Sequence, residues 1–143
     1  MKIAPIKNKG FADLDAQLAS IGRAMATEIA ENAVKASAEV LRKAWEAGAP
    51  FDPAKGGASG KYGHLRENMR VKFVKSANAN VVAYAVTTGR AFWAVFLEFG
   101  TRKLAARPWA RPIRDRVEPA IIAKQIEVIN AGIASAAAKK GEA

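Results

Sequence analysis

The sequence predicts an α+β fold: an N-terminal helical arm, a small antiparallel β-sheet, a short aromatic helix and a long C-terminal helix packed on the sheet. Three observations predict it. Apolar residues recur at spacings of three and four from Phe11 to Met25 and again from Ile113 onward, the period of an amphipathic helix. Val71 and Phe73 alternate with Lys72, and Val82, Tyr84 and Val86 fall on one face of residues 81–88, the period of a strand. Between these regions an almost wholly apolar run, residues 92–99, stops at Gly100.

Taken in order, Ile3 and Ile6 suit a short edge strand broken by Pro5, ahead of a turn through Lys7, Asn8, Lys9 and Gly10. Phe11, Leu14, Leu18, Ile21 and Met25 then form a helical stripe, with Asp13 and Asp15 in the first turn, where the helix dipole favours negative charge. After Met25 the stripe shifts by one position, to Ile29, Ala33, Ala36, Val40 and Ala44. Either one helix drifts gradually or two helices meet near Gly22. An unbroken helix to Trp45 would be roughly 50 Å long at ~1.5 Å per residue, which favours two. Gly48 and Pro50 end the arm. Residues 46–63 hold five Gly and two Pro and read as a loop, which could order against a neighbouring subunit.

A helical turn is expected at residues 65–69. Val71 and Phe73 open a strand, and residues 81–88 supply a second with Val82, Tyr84 and Val86 on one face. Joined through residues 77–80, they make an antiparallel hairpin. In the run that follows, Phe92, Phe96 and Phe99 share one helical face and Trp93 and Leu97 the next. A buried strand would tolerate the same composition, but a Gly directly after the run favours a helix, with Gly100 at its left-handed C-terminal position. Residues 91–116 hold five of the eleven aromatic residues and are expected to anchor the core. The last helix starts near Pro112, its face built from Ile113, Val117, Ile121 and Val128 beside Ile122, Ile126, Ile129 and Ile133. Pro119 kinks it or marks its true start. From Ala134 the tail is expected to fray. The boundaries are thus 1–143 for one domain, with a strand or arm at 1–10, the helical arm at 11–46, a flexible loop at 47–63, sheet and helices at 64–133 and the tail at 134–143.

Half of the residues are hydrophobic and none is cysteine, which excludes disulfides and thiolate metal sites. No unbroken run of about 18 apolar residues argues for a membrane span, and the basic N-terminus leads into no long apolar segment of a secretory signal. The net charge of +10 raises the possibility of a nucleic-acid partner. Its distribution is uneven: residues 1–49 carry seven Lys/Arg against six Asp/Glu, and residues 101–143 nine against four. It is densest over 102–116, where six cations face one acid, Asp115. That segment suits a solvated face, phosphate contact or pairing with acids on another subunit. Nothing there matches a base-reading motif. Trp109 within it could stack on a base, but a tryptophan between prolines more commonly fills a core or an interface.

Catalytic signatures are lacking. The single histidine, His64, beside Leu65 and Arg66 suits a surface or capping role. The GGASGK at 56–61 follows no apolar strand and lacks the Ser/Thr of a phosphate loop. No serine sits in a nucleophile elbow, and no metal or cofactor is expected. Glu98, inside an apolar run, would cost several kcal/mol if buried alone, so it pairs with an arginine such as Arg102 or Arg107 or reaches solvent.

The string FLEFGT, followed by ARPWARPI, resembles the signature of small tail-completion (minor tail, neck) proteins of long-tailed bacteriophages. The matching positions are Glu98, Phe99, Gly100 and Thr101, then Arg107, Pro108 and Trp109, where the family often has Phe in place of Trp109. Weaker similarity extends to Gly10 and Phe11, Ala49 and Pro50, and Gly63 to Arg66. The resemblance implies a structural virion protein without enzymatic activity. It would form a ring, hexameric by that likeness, that joins the tail to the head-tail connector around the DNA channel. Its partners would be further copies, tail-tube or tail-terminator proteins and the connector, with non-specific DNA contact in the channel and no membrane. It would be assembled in the host cytoplasm and located in the virion. A closed ring needs two different surfaces per subunit. The expected interface residues are Glu98, Phe99, Gly100, Thr101, Arg102, Arg107, Pro108, Trp109 and Arg111, with the Gly-rich loop at 51–62. The alternative class is a basic nucleic-acid-binding, nucleoid-type protein.

Overall fold

A computed structural model describes residues 22–54, 62–78 and 81–141. The strand expected at 3–6, the stripe from Phe11 to Ile21, most of the Gly-rich loop and residues 79–80 of the hairpin turn lie outside the described residues. The described order is helix α1 (Arg23–Gly48), a 3-10 turn (Leu65–Asn68), strands β1 (Arg70–Val74) and β2 (Ala83–Thr87), helix α2 (Trp93–Phe99) and helix α3 (Ala110–Gly141). This is the α+β class that the periodicities predict.

Helix α1 begins just after Gly22, whose φ of 81° lies where only glycine sits without strain. The Gly22 carbonyl accepts the first helical bond, from the Ala26 N–H at 3.1 Å. So the break placed near Gly22 coincides with the start of the described helix. Ala49 is extended at φ −64°, ψ 140°, the conformation that the ring of Pro50 imposes on the residue before it. Half-buried Arg42 reaches Glu39 at 2.6 Å and Glu46 at 2.7 Å, pairs at helical neighbour spacing.

The hairpin pairs antiparallel with Phe73 opposite Tyr84 and Val71 opposite Val86. The rings of Phe73 and Tyr84 meet edge to face at 5.5 Å. Two strands alone are marginal in water, and α1 packs against both of them. Helix α3 lies chiefly along α1. The two run antiparallel, since Trp45 meets Ala110 near one end while Ile29 meets Gly132 near the other. The molecule is thus layered as α3, α1 and hairpin.

Helix α3 starts at Ala110, two residues before Pro112, and passes through Pro119 to Gly141, beyond Ala134 where fraying is expected. Judged by composition instead of by unbroken run, the helix is long and apolar enough to cross a membrane, since an 18-residue stretch within Ala110–Lys139 has a mean hydropathy of 1.2. Ile121, Val128, Ile129 and Ile133 are half-buried, whereas Ile122 and Ile126 are exposed.

The core gathers where the elements converge. Leu65, Met69, Ala91, Ala94, Trp109 and Ile113 are buried together, with Trp45, Trp93 and Leu97 packed against them. The expectation that the aromatics of residues 91–116 anchor this core holds for Trp109 and the half-buried Trp93 and is corrected for Phe92, Phe96 and Phe99, which are 59%, 46% and 63% exposed, with Val95 at 55% beside them. Small Ala91 and Ala94 take the inner positions, 0% and 3% exposed.

Candidate functional site: an aromatic ridge fixed by a buried carboxylate

Helix α2, the turn after it and the start of α3 are locked together by Glu98. Its side chain is buried, and one oxygen, Oε2, accepts from the Trp109 N–H at 2.7 Å and the Ala110 N–H at 2.9 Å. The other, Oε1, accepts from the Arg111 N–H at 3.2 Å and from Arg111 Nε at 2.9 Å. These are the unpaired donors that every helix N-terminus presents, here satisfied by a carboxylate from a different helix. The ion-pair partner is Arg111, which corrects the expected Arg102 or Arg107. Burial alone would push the Glu98 carboxyl up, but the N–H groups of Ala110 and Trp109, with Arg111, outweigh it and lower the pKa to about 2. The Arg111 guanidinium also lies 5.0 Å from the Phe99 ring centre, a cation–π contact.

Gly100 ends α2 with φ 75°, and its N–H bonds the Phe96 carbonyl at 2.9 Å. A Cβ here would lie 2.7 Å from the Ala106 nitrogen and 2.8 Å from the Leu104 oxygen, so the site needs glycine twice over. Thr101 and Leu104 then exchange backbone bonds at 2.8 and 3.2 Å, and the Thr101 hydroxyl accepts from the Leu104 N–H at 3.1 Å. The turn so closed holds Arg102 and Lys103 at its exposed tip. The Arg107 N–H bonds the Leu97 carbonyl at 2.8 Å, which leaves its side chain and Pro108 outward. Trp109 plugs inward, its ring 5.6 Å from that of Trp45 at 64°, while Trp45 Nε1 donates to the Ala110 carbonyl at 3.0 Å.

The expected interface residues thus divide. Glu98, Gly100, Trp109 and the Nε of Arg111 form the inner lock, whereas Phe99, Thr101, Arg102, Arg107 and Pro108 face outward. Sequence reasoning missed Phe92, Val95 and Phe96 as the exposed continuation of Phe99. The signal was present in the 92, 96, 99 spacing, which defines a face without saying which way it points. His64 is half-buried, its ring 4.6 Å from that of Phe51, and its N–H bonds the Glu67 carboxylate at 2.9 Å. Among the described residues no three His, Cys, Asp or Glu side chains gather as a metal set. A shallow depression of about 150 Å³ between α1 and α3, lined by Glu28, Asn32, Gly132 and Lys139 among others, lies at the far end of α1 from Glu98.

What the arrangement offers is display: a short helix held rigidly, apolar rings outward, free cations at its end. A family model for HK97-gp10-like proteins, described as "Bacteriophage HK97-gp10, putative tail-component", matches residues 12–100. The match covers α1, the hairpin and α2 and stops at Gly100. No curated protein and no solved structure matches the chain.

Proposed function

The chain belongs to the HK97-gp10-like family of bacteriophage tail components, and on that premise we propose that it completes the tail at its head-proximal end. Copies assemble into a closed ring, of six by the likeness to neck proteins, that joins the tail tube to the head-tail connector around the DNA channel. Its role is structural, with no bond made or broken and no cofactor. Its partners are further copies, tail-tube or tail-terminator proteins and the connector.

The observation that carries this reading is the outward aromatic ridge, Phe92, Val95, Phe96 and Phe99, held in place by four hydrogen bonds to the buried Glu98. Such rings on the surface of a rigid element suit the centre of a protein interface, where aromatic residues carry much of the binding energy. The ordering cost of the segment is met in the free subunit, which favours assembly.

Electron cryo-microscopy of virions tests it: density for this chain belongs at the head-proximal end of the tail, in a ring around the channel. Particles that lack the chain should accumulate as separate heads and tails. Virions that join heads to tails normally without it would overturn the proposal. The second reading, nucleic-acid binding, draws on the exposed cations Arg102, Lys103 and Arg107. It requires duplex affinity to fall by on the order of 10³-fold between 50 and 200 mM salt for six or so phosphate contacts.

A further inference from the structure

Two of the apolar surfaces exposed among the described residues differ in charge. The first is the α2 ridge, at whose end Arg102, Lys103 and Arg107 enter no ion pair among the described residues. The second is a strip on α3, where Ile122 is 50% exposed and Ile126 53%. Pro119 and Ala123, both exposed, lie on the same helical face. At the N-terminal end of this strip stand Asp115 and Glu118, both exposed. Among the described residues Asp115 pairs with its exposed neighbour Arg114, a surface pair of little energetic weight.

The strip points away from the core. Ile113, buried against the lock, lies on the opposite side of α3, and Ile122 and Ile126 follow it by roughly 14 and 20 Å along the helix at ~1.5 Å per residue. The ridge and the strip thus lie on different helices and adjoin at Arg111, whose guanidinium is 5.0 Å from the Phe99 ring. One offers rings and cations, the other branched aliphatic groups and carboxylates. An isologous contact of the ridge with itself would bring the cations of two copies together.

We propose that the α2 ridge of one copy docks on the α3 strip of the next, with Arg102 and Lys103 directed at Asp115 and Glu118. This contact is heterologous, the kind that closes a ring. It deepens the proposed function and rests on the reading that the protein assembles with itself. It also accounts for Ile122 and Ile126, which are half exposed in the single chain: the neighbour's rings cover them.

The chain has no cysteine, which allows a direct test. Full-length Phe96→Cys and Ile122→Cys chains are oxidised separately and as a mixture, both purified and within assembled tails, and run without reductant. A disulfide dimer in the mixture, absent from either variant alone, is the expected result. A second pair, Phe92→Cys with Ile126→Cys, guards against one poorly placed sulfur, and circular dichroism confirms that each variant is folded. Dimers of Phe96→Cys with itself, or no mixed dimer from either pair, overturn the inference. So does flotation of the wild-type chain with phosphatidylethanolamine–phosphatidylglycerol vesicles that is abolished by Ile122→Lys, which would assign the strip to lipid. The two readings fail separately: a ring in tails without mixed dimers removes only this contact, whereas absence of the chain from tails removes the proposed function.

Discussion

A carboxylate beneath four N–H donors behaves as part of the backbone scaffold. Glu98 begins from an unfolded value near the ordinary 4.5 and is held at about 2 in the fold. A depressed carboxylate contributes stability that is fully present above its unfolded pKa and is lost as pH falls through the folded one. Urea denaturation should therefore show a stability unchanged by this group from pH 7 to 5. Between about pH 4.5 and 2 it should decline by on the order of 3 kcal/mol on its account. In Glu98→Ala that component of the decline disappears. The same substitution strips three N–H groups of α3 and leaves Arg111 without its partner, so it should lower stability at pH 7 by roughly 2–4 kcal/mol, read from the urea midpoint. The need for a partner was legible in the sequence, since an acid amid Phe, Leu and Phe cannot stay alone. Its identity was not. Arg102 and Arg107 are nearer in the chain, but the turn between Thr101 and Leu104 points Arg102 away, and the convergence of helix donors brings Arg111 in instead.

The elements show the same division between pattern and direction. Alternation located both strands to within two residues, and the Gly after an apolar run located the end of α2. Spacing also placed Phe92, Phe96 and Phe99 on one face. It could not tell that this face looks outward, because amphipathic period reports a difference between sides and here both sides are apolar. Nor did the wide isoleucine face of the last helix reveal that α1 would cover only part of it. At this scale Gly100 offers the sharpest test. Gly100→Ala puts a Cβ against the backbone of Leu104 and Ala106 at positive φ, so thermal unfolding should show a loss of about 2 kcal/mol or more. Gly132→Ala, by contrast, meets the side chain of Ile29 at 2.9 Å. It should move α3 off α1 locally and cost about 1–3 kcal/mol, with accelerated amide exchange at that end of the helix pair.

For the molecule as a whole, stability and assembly should separate. Ile122→Lys combined with Ile126→Lys alters side chains that are half exposed in the single chain, so its urea midpoint should stay within about 0.5 kcal/mol of wild type. Incorporation into tails, measured by quantitative mass spectrometry of purified particles, should nevertheless be lost. A variant that unfolds readily would instead place these isoleucines in the core. Net charge acts on the same scale: at +10, copies of the chain repel one another at low ionic strength.

The connector between the two helices, residues 100–109, is exposed along most of its course and looks like a stretch that could lengthen or shorten freely over evolutionary time. Its tethers forbid that. Leu97 grips the amide of Arg107, and Glu98 grips that of Trp109, so both ends are clamped to a single turn of α2. The side chain at 105 is free to drift and those at 102 and 103 need keep only their positive charge, while one inserted or deleted residue would pull the tryptophan from its socket. Descendants of this chain should thus vary in lettering there and hold the count.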